Sequence, residues 1–550
     1  MPQNFLQNHQ LYLTPLSPLH LGTGEDYEPT NYVIEGGVLY AFDPSQAALT
    51  PLQRSELLET AKRGDITAIQ SYFKKHLQTF ADCAYKTVGV SQALEQQYQK
   101  RLGNIANREQ SGKKVHNNLE IERTAVNPLN HQPYIPGSAF KGCLRTALLE
   151  RLSKPGDRPM ARDAARYEAE LLGSFASDGL RLLKTADFMP VGNIATQIQY
   201  ATNHKKKKVI KDGREVKAKG ITGRRETIQH GQYRAFSASC TLQKLLLAHK
   251  PAIRQPDKNL PKASAQPQSL QQLAQDANHY HVLRFEAESK LLHERGLIDP
   301  AWLQHTRKLF TTLMPQLNRG EIMLVRLGKH GGAESKTLSG LAQIKIMQGK
   351  GQKPTVEQHT KTVWLAAQAE AETHGLLPFG WALVEIDPQG GNPALQNWCE
   401  NNQQHLADVQ AIQNKLAERK QAAAERKAAI KAEAEAAERA RIEQAAAELA
   451  AQQARAAELA AMSPADRLIA DWTQKLQDFP FDSRNNTANS DFFNQLKTAL
   501  EQAAEQLDNS SKQQIAAAFS LKKLENLKRG LFTGKREKEI KAVLGQLRGG

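Results

Sequence analysis

The first forty residues carry apolar side chains in the short runs that are typical of β-strands. The run QLYLTPLSPLHLG at residues 10–22 predicts a strand, and its prolines favour a sheet edge or a bulge. The run NYVIEGGVLYAFD at residues 31–43 predicts a hairpin that turns at Gly36-Gly37. Residues 45–125 change to helical spacing with few β-branched residues, which predicts a helical insertion.

Strand patterns return after this insertion. They occur in LRLLKTADFMPVGNIATQIQYAT and AFSASCTLQKLLL, on either side of a Lys/Arg-rich segment that we interpret as a basic hairpin at 203–232. Residues 250–277 are rich in Pro, Gln and Asn, which indicates a linker or an insertion. The chain then continues with a strand (HVLRFEAES), a helix (PAWLQHTRKLFTTLMPQL), a strand (EIMLVRLG) and a closing strand (LPFGWALVEID). Strands that alternate twice with single helices predict an α+β fold with two ferredoxin-like domains, at 1–245 and 246–390.

The composition changes abruptly after Pro393. Neither glycine nor proline occurs from residue 394 to residue 463, and Ala, Glu, Lys, Arg and Gln dominate. These are strong helix formers, so we predict a long Ala-rich helix at 394–462. It lacks a heptad seam of Leu or Ile, which favours a solvated spacer over a coiled coil. Ser463-Pro464-Ala465-Asp466 has the sequence of a helix start, and the apolar periodicity after it predicts a small all-α domain at 463–550.

The net charge of the chain indicates which kind of partner it binds. The 550 residues include 73 Lys and Arg against 57 Asp and Glu, a formal charge of +16 that favours a polyanion, most often nucleic acid. No apolar run approaches the length of a membrane span, and the first residues lack a signal-peptide pattern. The four cysteines are far apart, which indicates neither a zinc knuckle nor a disulfide framework. We therefore predict a reduced, cytoplasmic protein with no cofactor, no metal and no membrane partner.

One short segment combines glycines with cations at the start of a helix. In PYIPGSAFKGCLRTALL, Lys141 and Arg145 lie four residues apart and so share one helix face. Exposed backbone N–H groups beside two cations would form a phosphate cradle, although the spacing is not that of a Walker A loop. The alternative is a strand-to-helix turn with a solvated basic face. From the residues alone both interpretations stay open.

The same segment resembles the signature glycine-rich loop of the RAMP superfamily, the RRM-like subunits of CRISPR–Cas effector complexes. Further segments resemble one branch in the same order: LTPLSPLHLGTGEDYEPTNYVIEGGVLYAFD, LKTADFMPV, RRETIQHGQYRAF, LVRLGKHGGAESKTL and LPFGWALVEI. That branch is the type III-A (Csm) subunit that caps the 3′ side of the crRNA. The resemblance covers roughly residues 10–388 and leaves the Ala-rich helix and the last ninety residues unassigned.

The resemblance implies a site for gripping RNA. The residues that it places against the RNA backbone are Gly137, Ser138, Lys141, Gly142, Arg145, Lys205, Lys206, Lys207, Lys208, Arg224, Arg225, Gly328, Lys329, Gly331, Gly332, Ser335 and Lys336. The implied partners are crRNA, target RNA, other RAMP subunits of a multisubunit effector complex, and host nucleases that mature the crRNA. Phosphate contacts would make binding salt-sensitive and largely indifferent to sequence.

Three functions remain open at this point. The leading prediction is a non-catalytic crRNA-binding subunit that supports assembly and crRNA maturation in antiviral defence. The second is an RNA endonuclease that uses His20 or Asp26, both of which follow the first strand. The third is a scaffold whose helical C-terminal module binds a partner. A lone histidine beside a strand is more often a structural hydrogen-bonding group, so we predict no enzyme.

Overall fold

The structure is a computed structural model that describes residues 6–102, 105–108, 114–116, 119–153, 164–212, 214–216, 218, 220, 222–244, 260–348, 351–406 and 408–549. Its strands are β1 (Leu6–Pro15), β2 (Gly22–Tyr27), β3 (Tyr32–Glu35), β4 (Val38–Phe42), β5 (Ala84–Val90), β6 (Ile105–Arg108), β7 (Lys114–His116), β8 (Ile121–Thr124), β9 (Leu183–Thr185), β10 (Met189–Pro190), β11 (Thr196–Lys205), β12 (Ile210–Lys211), β13 (Arg214–Glu215), β14 (Gly223–Ile228), β15 (Phe236–Gln243), β16 (Ile322–Arg326), β17 (Ile344–Ile346), β18 (Thr355–Glu357), β19 (Thr362–Ala367), β20 (Leu377–Pro378) and β21 (Trp381–Ile386). Its helices are α1 (Pro51–Lys62), α2 (Ile66–Lys75), α3 (Leu77–Asp82), α4 (Gln92–Arg101), α5 (Gly137–Leu152), α6 (Ala164–Leu172), α7 (Leu270–Glu294), α8 (Pro300–Arg319), α9 (Pro393–Asn401), α10 (Val409–Ala461), α11 (Pro464–Asp478), α12 (Asn486–Gln506), α13 (Asn509–Ala518), α14 (Leu521–Leu527) and α15 (Lys535–Leu547).

The chain divides into two compact units, Met1–Ile430 and Lys431–Gly550. The first unit contains the strands and has a mixed α+β architecture, so the predicted fold class is confirmed. Strands from both sides of the predicted boundary at residue 245 share each of its two large sheets. The division into two ferredoxin-like domains therefore stays a prediction.

The first sheet has the order β10-β15-β1-β21-β16, with β9 also paired to β15. Strand β1 is central: it pairs antiparallel with β15 on one side and with β21 on the other. The prolines of the first run predicted an edge or a bulge, and this prediction is wrong for β1. Pro15 is the last residue of the strand, so the missing N–H of proline removes no hydrogen bond from its interior.

Strands β16 and β21 of the first sheet are buried on both faces, which explains their uninterrupted apolar runs. In β21 every residue is buried. Alternate side chains, such as Val384, pack with α5 and the first half of α7, while Leu383 and Trp381 pack with α8 and the second half of α7. The strands predicted from EIMLVRLG and LPFGWALVEID are confirmed as β16 and β21.

The second sheet has the order β2-β8-β14-β11-β5-β4-β3, and β19 with β20 extends it from β11. The hairpin predicted at Gly36-Gly37 is confirmed, because β3 and β4 pair antiparallel on either side of it. The helical insertion at 45–125 is only partly correct. It contains helices α1 to α4, but β5 and β8 are inner strands of this sheet.

The segment HVLRFEAES is helical rather than a strand. It lies inside α7, whose buried apolar residues Leu273, Ala277, Tyr280, Phe285 and Leu292 recur at the spacing of a helix. The strand prediction failed because a nine-residue window is too short to resolve that period. Helix α7 begins after the Ser269 cap, so the predicted linker ends before residue 270, and its residues 250–259 lie outside the described residues.

Residues 393–401 belong to the core of the first unit. They form α9, whose Leu395, Trp398 and Cys399 are buried against α8 and the second sheet. The first turns of α10 are also packed, because Leu416 is buried among residues of β4 and α3. A solvated spacer that begins at residue 394 is therefore wrong. The Ala-rich helix itself is present as α10.

The second unit includes α11 to α15 around a core of its own, with Trp472, Phe493, Phe519 and Phe532 among the buried side chains. The predicted helix start is confirmed, because the Ser463 hydroxyl accepts the backbone N–H of Asp466 and Pro464 is the first helical residue. Among the helices that the structure describes, none combines the length and the apolarity that crossing a membrane requires.

We expect Trp398→Ala to destabilise the first unit. Trp398 is only 3% exposed, and its Nε1 donates to the Thr306 hydroxyl at 3.2 Å. Removal of a buried tryptophan side chain costs about 3–5 kcal/mol of unfolding free energy. Denaturant unfolding measures it, with Leu449→Ala on α10 as the control, since Leu449 is 57% exposed. A Trp398→Ala protein as stable as the control would mean that α9 does not complete the core.

Candidate nucleic-acid interface

The segment after β1 joins two parts of the first unit at His20. The backbone carbonyl of His20 accepts a hydrogen bond from the N–H of Lys329 at 2.9 Å, and the Nδ1–H of its ring donates to the Glu226 carbonyl at 2.8 Å. The imidazole is fully buried, and this burial lowers the pKa of His20, so the ring is neutral at neutral pH. His20 thus links β14 to the second glycine-rich loop, residues 328–336.

Gly328 allows this loop to contact His20 closely. Its φ is +81°, and a Cβ at this position would lie 2.4 Å from the His20 carbonyl oxygen. Any other side chain would push the loop away from the segment after β1. The glycine that sequence analysis assigned to RNA contact therefore has a structural role in seating the loop.

Glu122 in β8 lies at the centre of the charged groups around His20. Its carboxylate accepts a hydrogen bond from the Lys329 ammonium at 2.6 Å and pairs with the Arg225 guanidinium at 2.9 Å. A carboxylate oxygen of Glu122 also lies 3.4 Å from His20 Nε2. Partial burial acts to raise the pKa of Glu122, but the Lys329 hydrogen bond and the Arg225 charge outweigh it and lower the pKa. Sequence analysis missed Glu122, because its short strand lies in the segment predicted to be helical.

Arg225 reaches the loop from a second direction. Its Nε–H donates to His330 Nε2 at 3.2 Å. The His330 ring packs against Trp364 and Phe379. Burial and then the positive charge of Arg225 lower the pKa of His330 to about 3, so His330 is a neutral acceptor.

Glu334 connects the loop to the tetra-lysine run at 205–208. Its carboxylate accepts the Lys206 ammonium at 2.6 Å and the backbone N–H of Thr360 at 2.7 Å. Burial acts to raise the pKa of Glu334, but the hydrogen bond and charge of Lys206 outweigh it and lower the pKa to about 2. The structure therefore brings three predicted segments together, residues 205–208, 224–225 and 328–336, which we call the basic loop cluster.

The cations of this cluster fall into two groups. Lys206, Lys329 and Arg225 are paired with carboxylates. Arg224 donates to Gln97 and lies over the Tyr200 ring, and Lys205 is half-buried. Lys207, Lys208 and Lys336 are exposed, and within the described ranges they have no salt-bridge partner. These three lysines are therefore the ones open to a phosphate backbone.

The remaining loop residues shape the turn. The Ser335 hydroxyl donates to the Gly332 carbonyl at 2.9 Å, and Gly331 is packed against Ser335 and Arg326. The predicted basic hairpin continues beyond the lysines as the short β12–β13 pair, although its residues 213, 217, 219 and 221 lie outside the described residues.

The first glycine-rich loop has protein partners instead. The N–H of Gly137 donates to the Asp187 carboxylate at 2.7 Å, and a Cβ on Gly137 would lie 2.5 Å from the Ala186 carbonyl oxygen. The prediction of an open cradle is thus wrong at this amide, because close packing of α5 on the chain after β9 occupies it. Ser138 and Gly142 are exposed.

The two cations of that helix that were predicted to bind RNA also have protein partners. Lys141 Nζ donates to the Leu183 carbonyl at 2.9 Å, and Arg145 bonds to Asp178 and approaches Glu168 at 3.4 Å. Partial burial and then the charge of Lys184 lower the pKa of Lys141. Near the opposite end of α5, the Glu150 carboxylate accepts the backbone N–H of Ser339, three residues after the second loop, at 2.9 Å. Gly137 is thus about 20 Å along the helix from that contact.

The second catalytic candidate, Asp26, lies in β2 opposite Glu122 in the strand register. Burial and then the Glu122 charge raise the pKa of Asp26. The neighbouring Glu25 is exposed and lies 3.3 Å from Arg123. In the part of the chain that the structure describes, no three His, Cys, Asp or Glu side chains form a metal-binding group.

Comparison with known protein families matches residues 12–240 to the model of the RAMP superfamily. This part of the chain is therefore similar to proteins of the RAMP superfamily. The match includes the first glycine-rich loop and most of the sheet strands of the first unit, while the second loop lies beyond it. The predicted resemblance to this superfamily is therefore confirmed over residues 12–240.

Two solved structures are similar to this chain. One is from a cryo-EM structure of a Csm–crRNA–target RNA ternary complex in a type III-A CRISPR–Cas system, with 15% identity and a TM-score of 0.42, covering 69% of this chain and 100% of that one. The other is the crystal structure of Csm5 from T. onnurineus, with 16% identity and a TM-score of 0.38, covering 68% of this chain and 99% of that one. Comparison with curated proteins finds no match.

We expect His330→Asn to change the pH dependence of stability. The pKa of His330 is about 3 in the folded protein, below the value near 6.5 of an unfolded chain. The unfolded state therefore binds one more proton than the folded state as the pH falls below about 6.5. This proton alone lowers the free energy of unfolding by up to about 1.4 kcal/mol for each unit by which the pH falls. Asparagine tolerates the φ of +67° and can still accept from Arg225.

Denaturant unfolding between pH 7 and pH 4 measures this effect. The free energy of unfolding should fall less steeply with decreasing pH in His330→Asn than in the wild type. His374→Asn is the control, because His374 is exposed. Equal slopes in all three proteins would show that His330 titrates normally in the folded state.

Proposed function

We propose that this chain is a crRNA-binding subunit of a type III-A CRISPR effector complex, in which it caps the 3′ side of the crRNA and supports assembly and crRNA maturation. The RAMP match and the ordered resemblance of residues 10–388 to the type III-A branch support this proposal. The partners that follow are crRNA, target RNA, other RAMP subunits and host nucleases.

The observation that carries the proposal is the basic loop cluster. Glu122 and Glu334 hold the loop of residues 328–336 beside the tetra-lysine run, and three exposed lysines remain without a salt bridge among the described residues. Unpaired lysines on a rigid support suit a phosphate backbone, which needs positive charge and little base recognition.

The role that we propose is binding without cleavage. A general base must reach the 2′-hydroxyl of the RNA, whereas His20 is fully buried and its Nδ1–H is committed to the Glu226 carbonyl. A neutral, buried imidazole between two backbone segments suits a structural role. Asp26 lies beside Glu122, which is itself neutralised by Lys329 and Arg225.

We expect Lys207→Glu, Lys208→Glu and Lys336→Glu together to weaken RNA binding by the full chain. Each lost phosphate contact on single-stranded RNA lowers the salt dependence by about 0.7, so the slope of log K against log salt should shrink by about 2 units. Filter binding from 50 to 300 mM salt measures the slope.

The matched control reverses three exposed cations of the helical insertion, Arg54, Lys62 and Arg63, which changes the net charge equally. A slope reduced as much by the control would mean that only net charge matters.

Lys141→Ala with Arg145→Ala tests the first loop. We expect lower stability from it, and a lower salt slope at unchanged stability would instead locate the RNA at α5. Cleavage of RNA by the purified wild type would favour the endonuclease.

A further inference from the structure

The second unit has a strongly uneven charge distribution. Residues 463–508 contain four Lys and Arg against eight Asp and Glu, whereas residues 509–550 contain ten against three. The positive half comprises α13, α14 and α15 and the turn between α14 and α15. This unit lies outside the RAMP match, so its charge pattern needs a separate explanation.

Most cations of the positive half are not neutralised by carboxylates. Lys541 pairs with Glu537 at 2.6 Å, and Lys535 lies 3.8 Å from Glu539. Lys523 and Lys528 donate to the carbonyls of Ala517 and Gln477, which leaves their charges uncompensated. Lys522, Arg529 and Lys538 are exposed and have no salt bridge within the described residues. We call residues 522–541 the basic helical surface.

This surface is held rigidly. Leu524, Leu531 and Phe532 are buried in the core of the unit, so α14 and the turn after it are anchored between the exposed cations. Ile540 and Leu544 anchor α15 in the same core. Cations on a fixed support lose less freedom on binding than cations on a disordered tail.

The surroundings favour a nucleic acid over a protein as the occupant. Within residues 463–549 that the structure describes, every large hydrophobic side chain is at least partly buried. A stable protein interface needs an apolar centre, which the described side chains of residues 463–549 do not offer, whereas RNA binding requires mainly positive charge. Few aromatic side chains accompany the cations, so backbone contacts without base recognition are the fitting mode.

We propose that the basic helical surface is a second RNA-binding surface, separate from the basic loop cluster, which binds the phosphate backbone of single-stranded RNA. It goes beyond the capping role, because it assigns an RNA contact to the part of the chain outside the RAMP match.

The test is the salt dependence of binding of the full chain to a 40-nucleotide single strand. Lys522→Glu, Arg529→Glu and Lys538→Glu together should reduce the slope by about 2 units without changing the unfolding temperature. The control reverses Lys431, Arg439 and Arg455, three exposed cations of α10 in the same unit. A wild-type slope in the first variant, or an equal loss in the control, would overturn the proposal.

A photo-crosslinking residue at position 526 gives an independent readout. Asn526 is exposed in α14, and Gln502 is an exposed position of α12 in the acidic half. RNA should crosslink at 526 and not at 502. If an acidic protein crosslinks at position 526 and RNA does not, the surface binds a protein partner and the proposal is wrong.

The result also separates this inference from the proposed function. If the basic helical surface does not bind RNA but the proposed function is correct, the lysine variant of the basic loop cluster still lowers the salt slope. If the proposed function fails, that variant has no effect, while the variant of the second unit still lowers the slope. Sites in separate units should contribute additively, so the combined variant measures both.

Discussion

The pairing of β1 between β15 and β21 is the constraint on which the first unit depends. It joins residues 6–15 to strands that lie more than 220 residues further along the chain. The loops that it closes are long, so the pairing must be stabilised by the buried side chains of these strands, among them Leu11, Leu13 and Phe236. The segment after β1 has little freedom as a result: the N–H groups of Leu16 and Ser17 both donate to the Trp381 carbonyl. His20 is three residues after Ser17, and its position follows from this anchoring.

Ion pairs with carboxylates determine which cations stabilise the fold and which remain available to bind RNA. Glu122 and Glu334 each accept from a lysine at 2.6 Å, which fixes the second glycine-rich loop to β8, β14 and the tetra-lysine run. A third carboxylate, Glu226 of β14, is fully buried and pairs with the buried Lys86 of β5 at 2.5 Å. Removal of one partner from such a pair leaves an unpaired buried charge, which costs several kcal/mol. The net positive charge of the chain is thus only partly available to RNA.

Local patterns predicted the local elements. The Gly36-Gly37 hairpin, the Ser463 helix start and the strand EIMLVRLG were all predicted, because turn chemistry, capping and continuous apolar runs act within a few residues. The central position of β1 could not be predicted, since strand order depends on partners hundreds of residues away. The same holds for the site. Sequence identified the cations and glycines, but not that Lys141 and Arg145 have protein partners, nor that Glu122 organises Lys329 and Arg225. Single carboxylates in short strands carry no pattern.

The central claim is that His20 positions the second glycine-rich loop and does not cleave RNA. Amide hydrogen exchange of residues 328–336 tests it most directly, in the wild type, His20→Ala and His20→Asn, beside an RNA cleavage assay of the same proteins. Asparagine keeps a side-chain N–H near the position of Nδ1, so it can still donate to the Glu226 carbonyl. We predict that the loop exchanges faster in His20→Ala, that His20→Asn restores part of its protection, and that none of the three proteins cleaves RNA. Unchanged exchange in His20→Ala, together with RNA cleavage by the wild type that both variants lose, would contradict the account.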